Sequence, residues 1–185
     1  MSPKGVDWNG EDGQVLRYIQ LLKIIEGCKD LSLIDYGCGY GALINILNHL
    51  DVKFQYTGLD ISEEMIFAAT DLFKGNSNSR FLTASSINIA SDFIVASGVF
   101  NVKLDARNDV WEKYIEDTLD NFNDFSQKGF SFNCLSSYSD KEKQEKKLFY
   151  ADPMQLFNLC KKKYSTDVAL LHNYGLYEFT ILVNK

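Results

Sequence analysis

The stretch that most constrains this chain is Leu31-Ser32-Leu33-Ile34-Asp35-Tyr36-Gly37-Cys38-Gly39-Tyr40-Gly41-Ala42. A short apolar run ends in an acid, and glycines follow at alternate positions. Such a run reads as a strand buried on both faces. Glycines directly behind it let the chain turn sharply and let a ligand lie against the backbone. The architecture therefore has to place a loop of this kind at the carboxyl end of a parallel strand.

The rest of the chain alternates in the same sense. From Glu11 to Cys28, the residues Val15, Tyr18, Ile19, Leu22 and Ile25 share one helical face. Strands are predicted at 31–35, 54–60, 80–83, 92–96 and 129–135. Helices are predicted at 42–50, from the Ser62 cap to Phe73, at 110–125 and at 154–163. Trp111, Tyr114, Ile115, Leu119 and Phe122 form the apolar stripe of the 110–125 helix. The segments 167–172 and 177–183 flank Asn173-Tyr174-Gly175, which predicts an antiparallel pair. This order predicts an α/β fold, an open and mostly parallel sheet with helices on both faces. Ligands of such sheets bind at the carboxyl ends of the strands.

Composition narrows the function. With 185 residues, 45% of them apolar, the chain can bury one sizeable core. The whole of 1–185 is expected to be one domain, with 1–28 as an N-terminal cap and helix and 29–185 as the core. The net charge of -6 argues against nucleic acid or an anionic membrane as partner. No apolar run approaches the ~20 residues that span a bilayer. Cys28, Cys38, Cys134 and Cys160 form no CxxC pair, and His49 and His172 lie far apart, so no metal site is expected. Free thiols and the lack of a signal peptide point to the cytoplasm.

Two acids qualify the glycine loop. A nucleotide fingerprint puts glycine or alanine at its third position, and Ala42 stands there, so spacing alone leaves a dinucleotide open. No Lys-Ser or Lys-Thr follows, which excludes a P-loop. Asp35 would repel a pyrophosphate but suits a ligand with a positive centre. S-adenosylmethionine carries an ammonium and a sulfonium. Asp60, ending the next strand, is placed to accept hydrogen bonds from ribose hydroxyls. An ordinary strand-helix turn with capping acids is the structural alternative.

The motifs "LIDYGCGYGA" and "YTGLDISEEMI", with the weaker "FLTASSI" and "SDFIVASGVFN", resemble the class I S-adenosylmethionine-dependent methyltransferases. The resemblance runs from about Leu31 to the C-terminus. It implies a Rossmann-like, doubly wound, mostly parallel sheet of seven strands with an antiparallel C-terminal hairpin. It implies S-adenosylmethionine as cofactor, held by Asp35, Gly37, Cys38, Gly39, Gly41, Asp60, Ile61, Met65, Ser85, Ser86, Ile87 and Ser97. Family members often carry an acid where this chain has Ser85 and Ser86, so adenine would be read by backbone or hydroxyl groups. Relatives also carry more sequence before "GVDWNGEDGQ", which implies a shortened cover over the substrate.

The expected acceptor is a small molecule, methylated on oxygen. Candidate substrate contacts are Asn101, Lys103 and Tyr138, with a solvated loop as the alternative. His172 is the first candidate base, because imidazole titrates near neutral pH, with Tyr150 and Asp152 behind it. Each has a plainer reading: a hairpin histidine, a loop tyrosine, a helix cap. Residues 136–152, with the lysine-rich Lys141–Lys147 run, form a candidate lid or a solvated helix face. Trp8 and Arg17 are candidates to cover the cofactor or hold its carboxylate. A non-catalytic methyltransferase-like subunit and a nicotinamide-dependent oxidoreductase remain as alternatives.

Overall fold

The structure is a computed structural model and describes residues 11–185. Trp8 lies outside the described residues. Five helices and eight strands follow in the order α1 (Glu11–Leu22), β1 (Asp30–Tyr36), α2 (Leu43–Leu47), β2 (Lys53–Asp60), α3 (Glu63–Leu72), β3 (Ser79–Thr83), β4 (Ser91–Ala96), α4 (Asn108–Phe125), β5 (Ser126–Ser136), β6 (Tyr150–Ala151), α5 (Pro153–Lys163), β7 (Asp167–Leu171) and β8 (Glu178–Asn184). Short 3-10 turns occupy Lys23–Ile25 and Lys141–Lys143.

The sheet order is β3-β2-β1-β4-β5-β8-β7, with β6 added alongside β5. The strands β3 to β5 of this order run parallel, and β8 lies antiparallel to both β5 and β7. Because β1 and β4 are neighbours with their crossovers leaving in opposite directions, a crevice opens at their carboxyl ends. The glycine loop starts there.

Alternation along the strands builds two cores. Leu33, Phe93 and Val95 face α1, α2 and α3, where they meet Leu21, Leu43, Leu47 and Ile66. Ile34, Ile94, Phe130 and Phe132 face α4 and α5, meeting Ile115, Leu119, Phe122 and Cys160. Period-two strands buried on both faces are what the apolar runs demanded.

Several boundaries differ from the sequence reading. The first helix stops at Leu22 and gives way to a 3-10 turn, which Gly27 closes with a φ of 81°. The helix after the glycine loop is a single turn and a half, Leu43–Leu47. The sheet has eight strands, not seven. The extra strand, β6, pairs Tyr150 and Ala151 with Leu135 and Ser136 of β5, just past the end of β4. Two residues carry no period, so no sequence pattern could mark them. No described helix is long and apolar enough to cross a membrane. Among the described residues no three His, Cys, Asp or Glu side chains converge as a metal would need.

Candidate active site

The glycine loop is held from β2. The amides of Gly37 and Cys38 both donate to the Leu59 carbonyl, at 2.8 and 3.0 Å. The Gly39 amide donates to Asp60 Oδ2 at 2.9 Å, and the Ser62 amide donates to Asp60 Oδ1 at 2.9 Å. Gly37, Gly39 and Gly41 all have positive φ, which L side chains rarely adopt. A Cβ on Gly37 would also come within 2.5 Å of Val99 Cγ2. The loop is thus a tight cradle whose opposite wall is the segment after β4.

Asp35 is 2% exposed and sits on the α1-facing side of β1. The Tyr56 hydroxyl donates to its Oδ2 at 2.7 Å. Burial, opposed by that hydrogen bond and assisted by the Asp60 charge, pushes the Asp35 carboxyl up to about 7. An acid this poorly solvated gains from a cationic neighbour. Cys38 is buried beside it, and burial with the two carboxylates raises its thiol well above the ordinary range, so it stays neutral.

A cavity of about 370 Å³ opens at the strand ends, lined by Tyr36, Gly37, Asp60, Ile61, Ala84, Ser97, Gly98, Val99, Val102, Trp111 and Tyr114. It brings together Gly37, Asp60, Ile61 and Ser97 from the expected cofactor set. Ala84 is fixed by its amide, which donates to the Asp60 carbonyl at 3.0 Å. The Tyr36 hydroxyl donates to the Ser85 carbonyl at 2.8 Å, pinning the β3–β4 connection against the end of β1.

Seven wall residues escaped the sequence reading. Tyr36, Ala84, Gly98 and Val99 lay inside quoted motifs without a role, and Val102 just beyond one. Trp111 and Tyr114 belong to the apolar stripe of α4, which overhangs the sheet. Ile115, Leu119 and Phe122 are buried, whereas Tyr114 is 37% exposed and Trp111 half-buried. Their rings meet at 4.9 Å, and the Trp111 indole donates to the Phe100 carbonyl at 2.9 Å. The signal was an aromatic pair at the helix start, one turn beyond what the sheet can cover.

Other candidates stand apart from this cavity. Ile87 is buried in the α4-facing core, and Asn121 takes both its amide and its carbonyl, so its backbone is committed. Ser85 and Ser86 are exposed, and Met65 is exposed on the first turn of α3, its amide donating to the Ser62 cap. Gly41 is packed under Phe73 and Phe81. Asn101 is buried and accepts from the Leu135 amide at 2.9 Å, while Lys103 Nζ donates to the Ala106 carbonyl. Both stabilise the loop after β4.

The candidate bases also have structural occupations. Asp152 Oδ1 accepts from the amides of Met154 and Gln155, capping α5. The Tyr150 hydroxyl accepts from the Glu145 amide at 3.0 Å. His172 follows β7, exposed, with its ring between Tyr138 and Phe179. From β4 to β7 is three strand spacings, about 14 Å. Arg17 is paired with Glu178 at 2.8 Å. The 137–151 segment is a strap rather than a free flap. Val102 bridges Leu148, the Lys103 and Leu104 amides both donate to the Lys147 carbonyl, and the Phe149 amide donates to the Asn101 carbonyl.

Comparison with known proteins agrees with this geometry. A family model described as a methyltransferase domain matches residues 28–129. A Mycobacterium tuberculosis chain provisionally named methyltransferase Rv1506c is 51% identical over 164 residues, covering 89% of this chain and 99% of its own. Among solved structures, magnesium protoporphyrin IX methyltransferase from Synechocystis PCC 6803 with bound SAH superposes with a TM-score of 0.70 at 12% identity. That match covers 100% of this chain and 90% of the other. The CurJ carbon methyltransferase superposes at 0.68 with 13% identity, covering 95% of this chain and 55% of its own.

Proposed function

The chain belongs to the class I S-adenosylmethionine-dependent methyltransferases, and from that premise we propose that it methylates an oxygen of a small molecule, one already ionised at neutral pH. The observation that carries this is the lining of the cavity. Among the described residues that line it, Asp60 is the one ionisable group besides the tyrosines Tyr36 and Tyr114. Methylation of an alcohol needs a base within hydrogen-bond reach. A carboxylate or an acidic phenol needs none.

The residues present fit the cofactor. The Gly37 to Gly41 cradle allows close approach, and a side chain at Gly37 would fill it. Asp60 has lone pairs left after its two backbone bonds, suited to ribose hydroxyls. Asp35 offers its charge to an ammonium or sulfonium. Trp111 and Tyr114 offer aromatic faces, and Ala84 a small one, to a purine. When bound, S-adenosylmethionine supplies the electrophilic methyl. The chain's own part is to orient the acceptor against the Ser97–Val99 wall and to exclude water there.

The test has two stages. Calorimetry with S-adenosylmethionine, its demethylated product and NAD should show binding of the first two alone. Labelled methyl should then pass to carboxylic acids or acidic phenols. Release of label by mild alkali identifies an ester, and resistance at a phenol an ether. Label on nitrogen or carbon would sink the oxygen reading.

A further inference from the structure

A relay of side chains joins α1 to the cofactor-side loop. Arg17 Nε donates to Glu178 Oε1 at 2.8 Å. Asn133 Nδ2 donates to Glu178 Oε2 at 2.7 Å. The Gly98 amide donates to Asn133 Oδ1 at 2.7 Å. Four elements take part: α1, β8, β5 and the loop after β4. The side chains are deeply placed, with Arg17 13% exposed, Glu178 2% and Asn133 0%. Neither asparagine oxygen nor glutamate oxygen is left over at random. Each faces one donor.

Such a relay is a poor way to make a stable core. Taking an ion pair out of water costs several kcal/mol, and apolar replacements of the same shape are often no less stable. What a fully satisfied buried network does supply is fixed position. The fixed object here is Gly98, which has a φ of 74° and lines the cavity. Asn101 braces the same turn from its other side, its amide donating to the Gly98 carbonyl at 3.2 Å and its carboxamide accepting from Leu135. The Gly98 peptide is therefore clamped at both its N–H and its C=O, and one clamp leads to the N-terminal helix.

We propose that Arg17, Glu178 and Asn133 are positioning residues that couple the seating of α1 to occupancy of the cofactor cavity through the Gly98 amide. This rests on the reading that the cavity at Gly37, Asp60 and Gly98 holds the cofactor. A ligand pressed against Ser97 and Gly98 selects one placement of that turn. Asn133 and Glu178 transmit that choice to Arg17, and so to the helix that covers the α1-facing side of the site. By linkage, anything that seats α1 tightens the cofactor site by the same factor.

The experiment uses the full chain and S-adenosylhomocysteine as probe, with hydrogen exchange and calorimetry on the same samples. In the unaltered protein the ligand should slow exchange in both 97–101 and 11–22. Glu178→Gln keeps the shape but breaks the ion pair. It should still bind, about tenfold more weakly, with protection kept at 97–101 and lost at 11–22. Arg17→Lys with Glu178 intact, which keeps a cation opposite the carboxylate, should keep protection of the helix. A Glu178→Gln protein that melts earlier but still protects 11–22 on binding would overturn the coupling and leave a structural role. Protection confined to 97–101 in the unaltered protein would overturn it too. Absence of binding by the unaltered chain, or binding without protection at 97–101, would instead remove the cavity assignment beneath it.

Discussion

The Asp60 carboxylate accepts the Gly39 amide at 2.9 Å while its other oxygen accepts the Ser62 amide at the same distance. One side chain thus ties the glycine loop to the start of α3. Asp60→Ala should remove both ties and the proposed ribose acceptor together. Hydrogen bonds to charged groups are worth about 1.5–3 kcal/mol, less where water can replace them. A stability loss of about 1–3 kcal/mol by denaturant melt is expected, with the dissociation constant for S-adenosylhomocysteine raised at least ~10-fold. Asp60→Asn keeps one acceptor and should fall between.

Asp35 should make cofactor binding depend on pH. Its carboxyl titrates at about 7 in the folded chain, against about 4 when unfolded. The folded state holds the proton more tightly, so its contribution to stability is fully present below pH ~4 and is lost as pH rises through ~7. A cationic ligand beside Asp35 favours the ionised form and lowers that value. Binding of S-adenosylmethionine should then release close to one proton at pH 6 and almost none at pH 8. Calorimetry in buffers of different ionisation enthalpy measures this directly. Asp35→Asn should abolish the release, flatten the stability profile near neutrality and weaken binding. Proton uptake, or none at pH 6, would place the cationic centre elsewhere.

Gly37 faces Val99 with no room for a side chain. Alanine there meets two penalties, a left-handed backbone at φ 77° and a Cβ within 2.5 Å of Val99 Cγ2. Each is worth about 1–3 kcal/mol. Gly37→Ala should destabilise the chain and abolish cofactor binding at micromolar ligand. Val99→Ala in the same chain should return the steric part and leave the backbone part. A double-mutant cycle should give a coupling of about 1–2 kcal/mol. Strict additivity would show that the loop moves away from Val99 at no cost.

Local chemistry decided what could be read in advance. The β1 run, the glycine loop and Asp60 follow from local rules, periodicity and turn chemistry, and the structure places them together. Trp111 and Tyr114 obey those rules too, but which part of an amphipathic stripe overhangs a sheet is set by tertiary packing. Asn101 shows the reverse case. A polar residue after a strand reads as a ligand contact, and only the fold reveals that the Leu135 amide needs it. β6 exists because the strap returns to the end of β5, a long-range event invisible in Tyr150-Ala151 alone.

Asp152 and His172 separate structural from chemical roles. Asp152 follows β6 and its Oδ1 accepts from two amides of the first turn of α5, ahead of Pro153 at the first helical position. That is the full duty of an N-cap, worth about 0.5–2 kcal/mol when replaced by alanine. His172 sits beyond β7, its ring partly desolvated so that its pKa lies below the ordinary value. A lowered pKa keeps imidazole neutral at pH 7, which a base requires, but proton transfer also needs reach. About 14 Å of sheet separates β7 from β4. Asp152→Ala should therefore lower stability with kcat unchanged, and His172→Gln should change neither kcat nor its pH profile. Loss of a general base would cost about 10²–10⁴-fold. A fall of that size in the histidine variant, with the folded state intact, would mean that β7 and the strap close over the acceptor during turnover, and that the acceptor needs its proton removed after all.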